Sequence, residues 1–264
     1  MTQQHPASRT KAFTAIVLLV LLGAVCIAAG QWQLRRAHTR EAIHAARLAG
    51  QQAPALTLSA SQADGPDWHR AQVRGHWLNP LTVLLDNRNL KGQPGFWVAT
   101  PLALQDTPDT AVLVLRGWVA RPLPPATLPD LRAAEGPVEI RGTLLHRVPR
   151  LFDLGSLTGH PDSALPDPFP ATDGSIPRVQ NLSLDTLAAA TGLRLLPVVL
   201  EQAPAPDAGL VQEWPGPSEN SSQNYNYALQ WFSFATIALG AAAVTLWRLL
   251  RRSRPPKPEL PAHD

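Results

Sequence analysis

Two stretches without a single charged residue stand near the ends of the chain. Ala12–Gly30 (AFTAIVLLVLLGAVCIAAG) has 19 residues and Tyr227–Trp247 (YALQWFSFATIALGAAAVTLW) has 21. At 1.5 Å per residue, each helix reaches about 30 Å, the thickness of a bilayer's hydrocarbon core. The pattern therefore predicts two transmembrane helices. The first run is longer than the ~7–15 apolar residues of a cleaved signal peptide, and no clean small-residue cleavage site follows it. It is read as an uncleaved anchor. In the second run Gln230, Ser233 and Thr236 recur three apart and share a face. Small residues Ala238 and Gly240–Ala243 permit close helix contact. Tyr225, Tyr227, Trp231 and Phe232 gather at one end and Trp247 stands at the other, as interfacial aromatic belts do.

Between the runs the apolar period shortens. Trp68–Leu78 alternates apolar and polar, and Thr82–Leu85, Phe96–Leu104, Ala111–Ala120, Pro137–His146 and Leu195–Glu201 are short β-rich runs punctuated by Gly, Pro, Asn and Asp. This spacing predicts an antiparallel sheet curled into a barrel or sandwich. Helix is expected in two places. Gln31–Ala49 extends the first span and stops at Gly50; Ser183–Thr191 has Ser183 as N-cap and Gly192 as its stop. Leu154–Pro177 reads as loop, and neither an internal repeat nor a heptad run is visible. The expected fold class is a membrane protein in which two transmembrane α-helices flank a β-rich extracytoplasmic domain with short helices. Its segments are a cytoplasmic tail at 1–11, a helix at 12–30, the β-rich domain at 31–226, a helix at 227–247 and a basic cytoplasmic tail at 248–264.

Composition sharpens this picture. Charged residues are 16% of the 264, well below the ~25% of ordinary soluble domains, and 45% are hydrophobic. The middle of the chain holds 22 of the 27 prolines, a density that forbids a long helical bundle there. The net charge of +3 belongs to the ends. Gln31–Tyr227 carries 16 basic and 18 acidic residues, while the flanks carry 7 basic and 2 acidic. No basic patch marks the middle as a nucleic-acid binder. Arg248, Arg251, Arg252, Arg254 and Lys257 follow the second span and argue for a cytoplasmic C-terminus. Arg35, Arg36, Arg40 and Arg47 pull the first span the other way. Two spans put both termini on one side, however, and long loops translocate largely regardless of charge. Both termini are placed in the cytoplasm of a bacterial cell, the protein crosses the inner membrane twice, and the central domain is periplasmic.

Chemistry is sparse. One cysteine, Cys26, excludes an internal disulfide framework and a cysteine-based zinc site, and a lone methionine removes the Met-rich copper-carrier reading. No H-E-x-x-H, C-x-x-C-H, G-x-S-x-G or phosphate-cradling loop occurs. His38 and His44 fall on different sides of a helix, and His69 and His76 on opposite faces of a strand. Asp64 and Asp67 read as turn formers in a Gly-Pro context. Nothing here argues for an enzyme. Arg74-Gly75, Arg116-Gly117 and Arg141-Gly142 each close a β-rich run. Their first reading is Arg lying on the sheet surface with Gly making a bulge or bend; their second is a row of guanidinium forks for carboxylates, a partner's or a haem's.

Several blocks, in order, resemble those of one family. They are Gly30-Gln31-Trp32-Gln33-Leu34-Arg35-Arg36 at the exit of the first span, Leu85-Asp86-Asn87-Arg88, Gly92–Leu102, Val112–Val119 with its Arg116-Gly117-Trp118, Gly136–Gly142, Arg178-Val179-Gln180-Asn181 and Tyr227–Phe232. The chain resembles the Surfeit locus protein 1 family of cytochrome c oxidase assembly factors. The resemblance implies two transmembrane helices around an extracytoplasmic β-rich domain and a part in the biogenesis of haem-copper oxidases. It also implies haem a, transiently held and delivered to subunit I. The implied partners are subunit I, other oxidase assembly factors or haem a synthesis enzymes, and the membrane. Many members carry, three residues before the Tyr-Ala of the second span, a His proposed to ligate haem iron; here that position is Asn224. The residues expected to hold haem between the spans are Trp32, Arg35, Arg36, His38, Tyr227, Gln230 and Trp231, with arginines for propionates, aromatics for the ring and His38 as the substitute ligand. The competing reading is a cofactor-free membrane-anchored interaction scaffold in the cell envelope.

Overall fold

The computed structural model describes residues 6–152, 164–207, 209–216 and 221–252. The chain divides into two compact units. One comprises Met1–His44 with Pro217–Asp264, the other Ala45–Gly216.

The first unit is a pair of helices. Helix α1 runs unbroken over Pro6–Gln52, so the predicted span and its polar extension are one element. Its composition explains the length, since Ala, Leu and Arg dominate and no proline interrupts it after Pro6. The C-terminal helix, labelled α3 below, covers Ser222–Arg252. Both are long and apolar enough to cross a membrane. The basic tail beyond Arg252 lies outside the described residues.

The second unit is rich in sheet. Its strands are β1 (Leu56–Thr57), β2 (Arg70–Trp77), β3 (Val83–Leu90), β4 (Gln93–Leu104), β5 (Thr110–Ala120), β6 (Pro137–Leu145), β7 (Arg178–Val179) and β8 (Arg194–Gln202). Helix α2 (Leu184–Thr191) precedes β8. The Ser183 side chain accepts the Thr186 N–H, and Gly192 closes the helix in the left-handed conformation, both as expected. The strand order is β1-β2-β6-β8-β5-β4-β3-β7, with a further pairing between β2 and β4. Hydrogen bonding therefore runs round a ring of five strands, from β2 through β6, β8, β5 and β4 back to β2.

The sheet is mixed, which corrects the antiparallel expectation. Strand β5 pairs β8 in parallel, and the two-residue strands β1 and β7 pair β2 and β3 in parallel. A parallel partner needs a long crossover. Between β5 and β8 the chain supplies one containing β6, β7 and α2. Of the predicted Leu154–Pro177 loop, 153–163 lie outside the described residues, and 164–177 form neither helix nor strand.

Glycines sit where a strand is shared by two neighbours. Gly75 pairs Val138 of β6 and Leu104 of β4, and a Cβ there would stand 2.0 Å from the Ala103 carbonyl oxygen. Gly142 pairs Ala71 of β2 and Gln202 of β8, and its Cβ would stand 2.1 Å from the Glu201 carbonyl oxygen. Only a residue without a side chain allows these approaches. Leu102, Val112, Val114, Leu144, Val198 and Leu200 form one buried cluster of the sheet unit; Leu85, Trp97, Leu113, Trp118 and Leu187 belong to another.

Candidate functional site

The helix pair is built on small residues. Gly23, Cys26, Gly30 and Ala37 of α1 are buried, as are Ala228, Ala235, Ala238 and Ala242 of α3. A Cβ on Gly23 would lie 2.8 Å from the Leu239 side chain, and one on Gly30 would lie 2.8 Å from the Phe232 ring. The seam is thus closed at both glycines. The burial recurs every seven residues, a heptad rhythm carried by small residues and not by large apolar ones. Phe13, Leu18, Leu21, Leu22 and Val25 of α1 and Leu229, Ile237, Val244, Leu246 and Leu250 of α3 are left exposed.

The residues singled out in the sequence fall on several faces of this pair. Trp32 is half exposed, and Arg35 and Arg36 are exposed. Gly30 and Ala37 mark the seam of α1; at 100° per residue Trp32 lies roughly opposite it. The Arg36 guanidinium carbon stands 5.6 Å from the Trp32 ring centroid. On α3, Tyr227 and Gln230 are exposed, while Trp231 is half-buried and meets Phe234 edge to face at 6.2 Å. Trp231 also lines an apolar groove of about 310 Å³ with Leu19, Leu22, Cys26 and Phe234. Among the described residues no hydrogen bond, ion pair or ring contact joins Trp32, Arg35 or Arg36 to Tyr227, Gln230 or Trp231.

Past the apolar run the helices meet through polar groups. Arg40 Nη1 donates to Asn224 Oδ1 at 3.0 Å, and Asn224 is 5% exposed. The Tyr225 hydroxyl donates to Glu41 Oε2 at 3.0 Å. His38 Nδ1 lies 3.6 Å from Glu41 Oε2, and its ring stands edge-on to Tyr225 at 6.1 Å. His38, the expected substitute ligand, thus belongs to this network. Sequence reasoning placed Asn224 but missed its partner Arg40, which lies 184 positions away. The seven-residue recurrence of Gly23, Gly30 and Ala37 was the signal available for finding the facing side of α1.

In the sheet unit, the three Arg-Gly pairs part company. Arg74 and Arg141 are exposed and both bind Glu139, at 2.9 Å each, as surface arginines do. These bonds, Arg74's first, hold the Glu139 carboxyl below its usual pKa. Arg116 is fully buried. Strand β4 pairs Ala99 with Leu115 and Val98 with Gly117, so Arg116 is the extra residue of a bulge and turns inward. Its Nε donates to Asp207 Oδ2 at 3.0 Å, a second bond reaches Asp207 Oδ1, and Nη1 donates to the Leu131 carbonyl. The Trp77 ring centroid lies 5.4 Å from its guanidinium carbon. The fork is therefore occupied by a carboxylate of the chain itself.

Three further groups went unread. Burial pushes the Glu201 carboxyl up to about 7, with the Arg47 charge opposing. Burial lowers Arg88 to about 10, and its guanidinium stacks on Trp97 with the carbon 4.5 Å from the ring centroid. His146 lies between the two carboxylates read as turn formers, with Nδ1 2.8 Å from Asp67 Oδ1 and Nε2 3.0 Å from Asp64 Oδ1. Those carboxylates, Asp67 foremost, raise its pKa. They are 79 and 82 positions from it, and no local motif connects them. Among the described residues no group of three His, Cys, Asp or Glu is arranged to hold a metal ion.

The family model described as the SURF1 family matches residues 20–236, a range that takes in the whole sheet unit and about half of each apolar run. SURF1-like proteins described as uncharacterized, from Mycobacterium bovis and from Mycobacterium tuberculosis, are 29% identical to the chain over 219 residues. Each alignment covers 78% of this chain and 72% of the relative.

Proposed function

The chain belongs to the SURF1 family, which is associated with cytochrome oxidase assembly, and we propose that it is an assembly factor for a haem-copper cytochrome c oxidase. The observation that carries this is the extent of the match, since residues 20–236 include the entire sheet unit and part of each apolar helix on either side of it. In this reading both helices cross the inner membrane of a bacterium and the sheet unit, its five-strand ring a small barrel, stands on the periplasmic side. The apolar flanks of α1 and α3 then face lipid or the helices of subunit I. Trp32, Arg35 and Arg36 stand where α1 leaves the membrane, free to meet the oxidase or another assembly factor.

Haem a insertion is the finer form of the same idea, and the residues between the helices do not fit it. A porphyrin there would need the space in which Phe232 closes on Gly30. The usual ligand position is Asn224, whose amide oxygen is engaged by Arg40 and is a poor partner for iron compared with imidazole. The reading these contacts support is a protein that holds oxidase assembly partners together at the membrane without an axially ligated haem of its own.

The experiment is a deletion strain returned to wild type or to variants. The expected result is loss of assembled oxidase and its activity without the protein, and recovery with wild type. Arg35→Ala with Arg36→Ala fails to restore, whereas Arg35→Lys, which keeps a cation but loses the planar fork, restores only in part. Full oxidase activity in the deletion strain overturns the assignment. A Soret band on the protein purified from cells making haem a overturns the cofactor-free form of it alone.

A further inference from the structure

The loop between β1 and β2 is tied at its two roots by backbone bonds. The Leu58 N–H donates to the Gln72 carbonyl at 2.8 Å, and the Trp68 N–H to the Leu144 carbonyl at 2.9 Å. Between those roots, residues 59–67 have one polar partner elsewhere in the sheet unit among the described residues, His146 directly after β6. Asp67 Oδ1 accepts the His146 backbone N–H at 2.9 Å and lies 2.8 Å from the ring Nδ1. Asp64 Oδ1 lies 3.0 Å from Nε2. Only an imidazolium carries a proton on both nitrogens, so only the charged ring donates to both carboxylates at once. The charges acting on the ring are those of Asp67 and Asp64, both from the loop; no cation of β2 or β6, nor Arg147 beside it, is among them.

Losing one proton undoes the contact on one side. Asp67 keeps the backbone N–H, and a neutral ring protonated at Nδ1 keeps Asp67 as well. Nε2 then turns a lone pair on the Asp64 carboxylate, acceptor against acceptor, and the Asp64 end is released. Exposed ion pairs of this kind are each worth little, so release needs no unfolding of the sheet. Asp64 is bonded onward within the loop. Its carbonyl accepts from Gln62 Nε2 at 3.1 Å, the Gln62 N–H donates to Ser59 Oγ at 3.0 Å, and Ser59 Oγ lies 3.1 Å from Ser61 Oγ. Ser59 and Ser61 line a cleft of about 620 Å³ together with Val73, Leu104 and the β4–β5 turn at Asp106 and Thr107. Thr107 Oγ1 is buried there with no hydrogen-bond partner among the described residues. We propose that His146 is a proton-operated clasp on the β1–β2 loop, closed on Asp64 and Asp67 while its ring is doubly protonated, and that the neutral ring releases the Asp64 end and widens this cleft. The two carboxylates, Asp67 foremost, hold the ring's proton above the ordinary 6.5. The clasp is therefore fully closed below 6.5 and is lost as pH rises through the raised value. This inference stands apart from the oxidase reading.

The test is a distance across the cleft. Spin labels are placed on the full detergent-solubilised chain at Ser61→Cys and Asp106→Cys, with the native Cys26 replaced by Ala, and their separation is measured by electron paramagnetic resonance at pH 6 and pH 9.5. The expected result is one narrow distribution at pH 6 and a longer, broader one at pH 9.5. His146→Gln, which has no charge to lose, is expected to give the same broad distribution at both pH values. Asp64→Asn, whose amide can donate to the neutral ring or accept from the charged one, is expected to keep the short distance at both. In the same variant the nuclear magnetic resonance titration of the His146 ring should move down toward 6.5. Identical wild-type distributions at the two pH values overturn the inference, and so does a pH response that survives in His146→Gln.

Discussion

Glu201 occupies β8 with its side chain turned away from water, and burial is what raises its pKa to about 7. In the unfolded chain the same carboxyl titrates near 4.5. A raised folded value means that the native state holds its proton over a range where the unfolded state has released it. Stability contributed by this group is therefore full below about 4.5, falls as pH rises, and levels off above about 7. The shift corresponds to roughly 3 kcal/mol, at about 1.4 kcal/mol per pH unit. Glu201→Gln is expected to flatten the pH dependence of sheet-unit unfolding across that window and to stabilise the protein at pH 8. Thermal unfolding of the detergent-solubilised chain from pH 4.5 to 8 tests this; an unchanged slope in the variant refutes the burial argument. Arg116 makes the opposite case, a buried charge with its partner in place. Breaking such a pair leaves one charge uncompensated and costs roughly 3–5 kcal/mol. Asp207→Ala should lower the unfolding midpoint in denaturant accordingly, while Glu139→Ala, which frees two exposed arginines, should scarcely move it.

At the scale of elements, the sequence was most legible where a local rule acts alone. The Ser183 cap and the Gly192 stop of α2 depend on nothing beyond ten residues, and both stand as read. Ser183→Ala is expected to cost about 1 kcal/mol of sheet-unit stability, because the Thr186 N–H loses its acceptor. A difference under a few tenths by chemical denaturation contradicts that. The long strands were also visible, since alternation and β-branched runs survive tertiary context. Strands β1 and β7 were not, because two residues carry no period; they exist only by pairing with β2 and β3. Parallel pairing of β5 with β8 was hidden for another reason, direction being a property of the crossover and not of either strand. Pro197 sits where the register of that pair shifts, so a residue that breaks ladders falls where the ladder is already interrupted. The site was less legible than the fold. Sequence patterns named Trp32, Arg35, Arg36 and Trp231 as exceptional, but which face of a helix they take depends on a seam of Gly and Ala contributed by two helices far apart in the chain. The Asp64–His146–Asp67 contact and the Arg40–Asn224 bond join residues more than seventy positions apart, beyond the reach of any local motif.

For the whole molecule the charges bear unequally on direction across the membrane. The flanks outside the two apolar runs hold Arg9 and Lys11 at one end and five basic residues from Arg248 to Lys257 at the other, seven against the four arginines that follow the first run. Lys and Arg in short segments near span ends set orientation, and long domains translocate largely regardless of their own charge. Gln31–Asn226, with nearly balanced charge, offers little resistance to export. Both termini are therefore expected inside and the sheet unit outside. A reporter enzyme active only in the periplasm should work when inserted beside Asp106, which is exposed in the turn between β4 and β5, and should be silent when fused after Asp264. A reporter active only in the cytoplasm should give the reverse. Removing the five basic residues after the second run by Arg→Gln and Lys→Gln changes should then weaken the preference, because Arg35, Arg36, Arg40 and Arg47 pull the other way. Activity of the periplasmic reporter at the C-terminus of the unaltered chain would reverse the orientation, placing the sheet unit and the Trp32–Arg36 corner on the cytoplasmic side, away from any partner that assembles at the outer face.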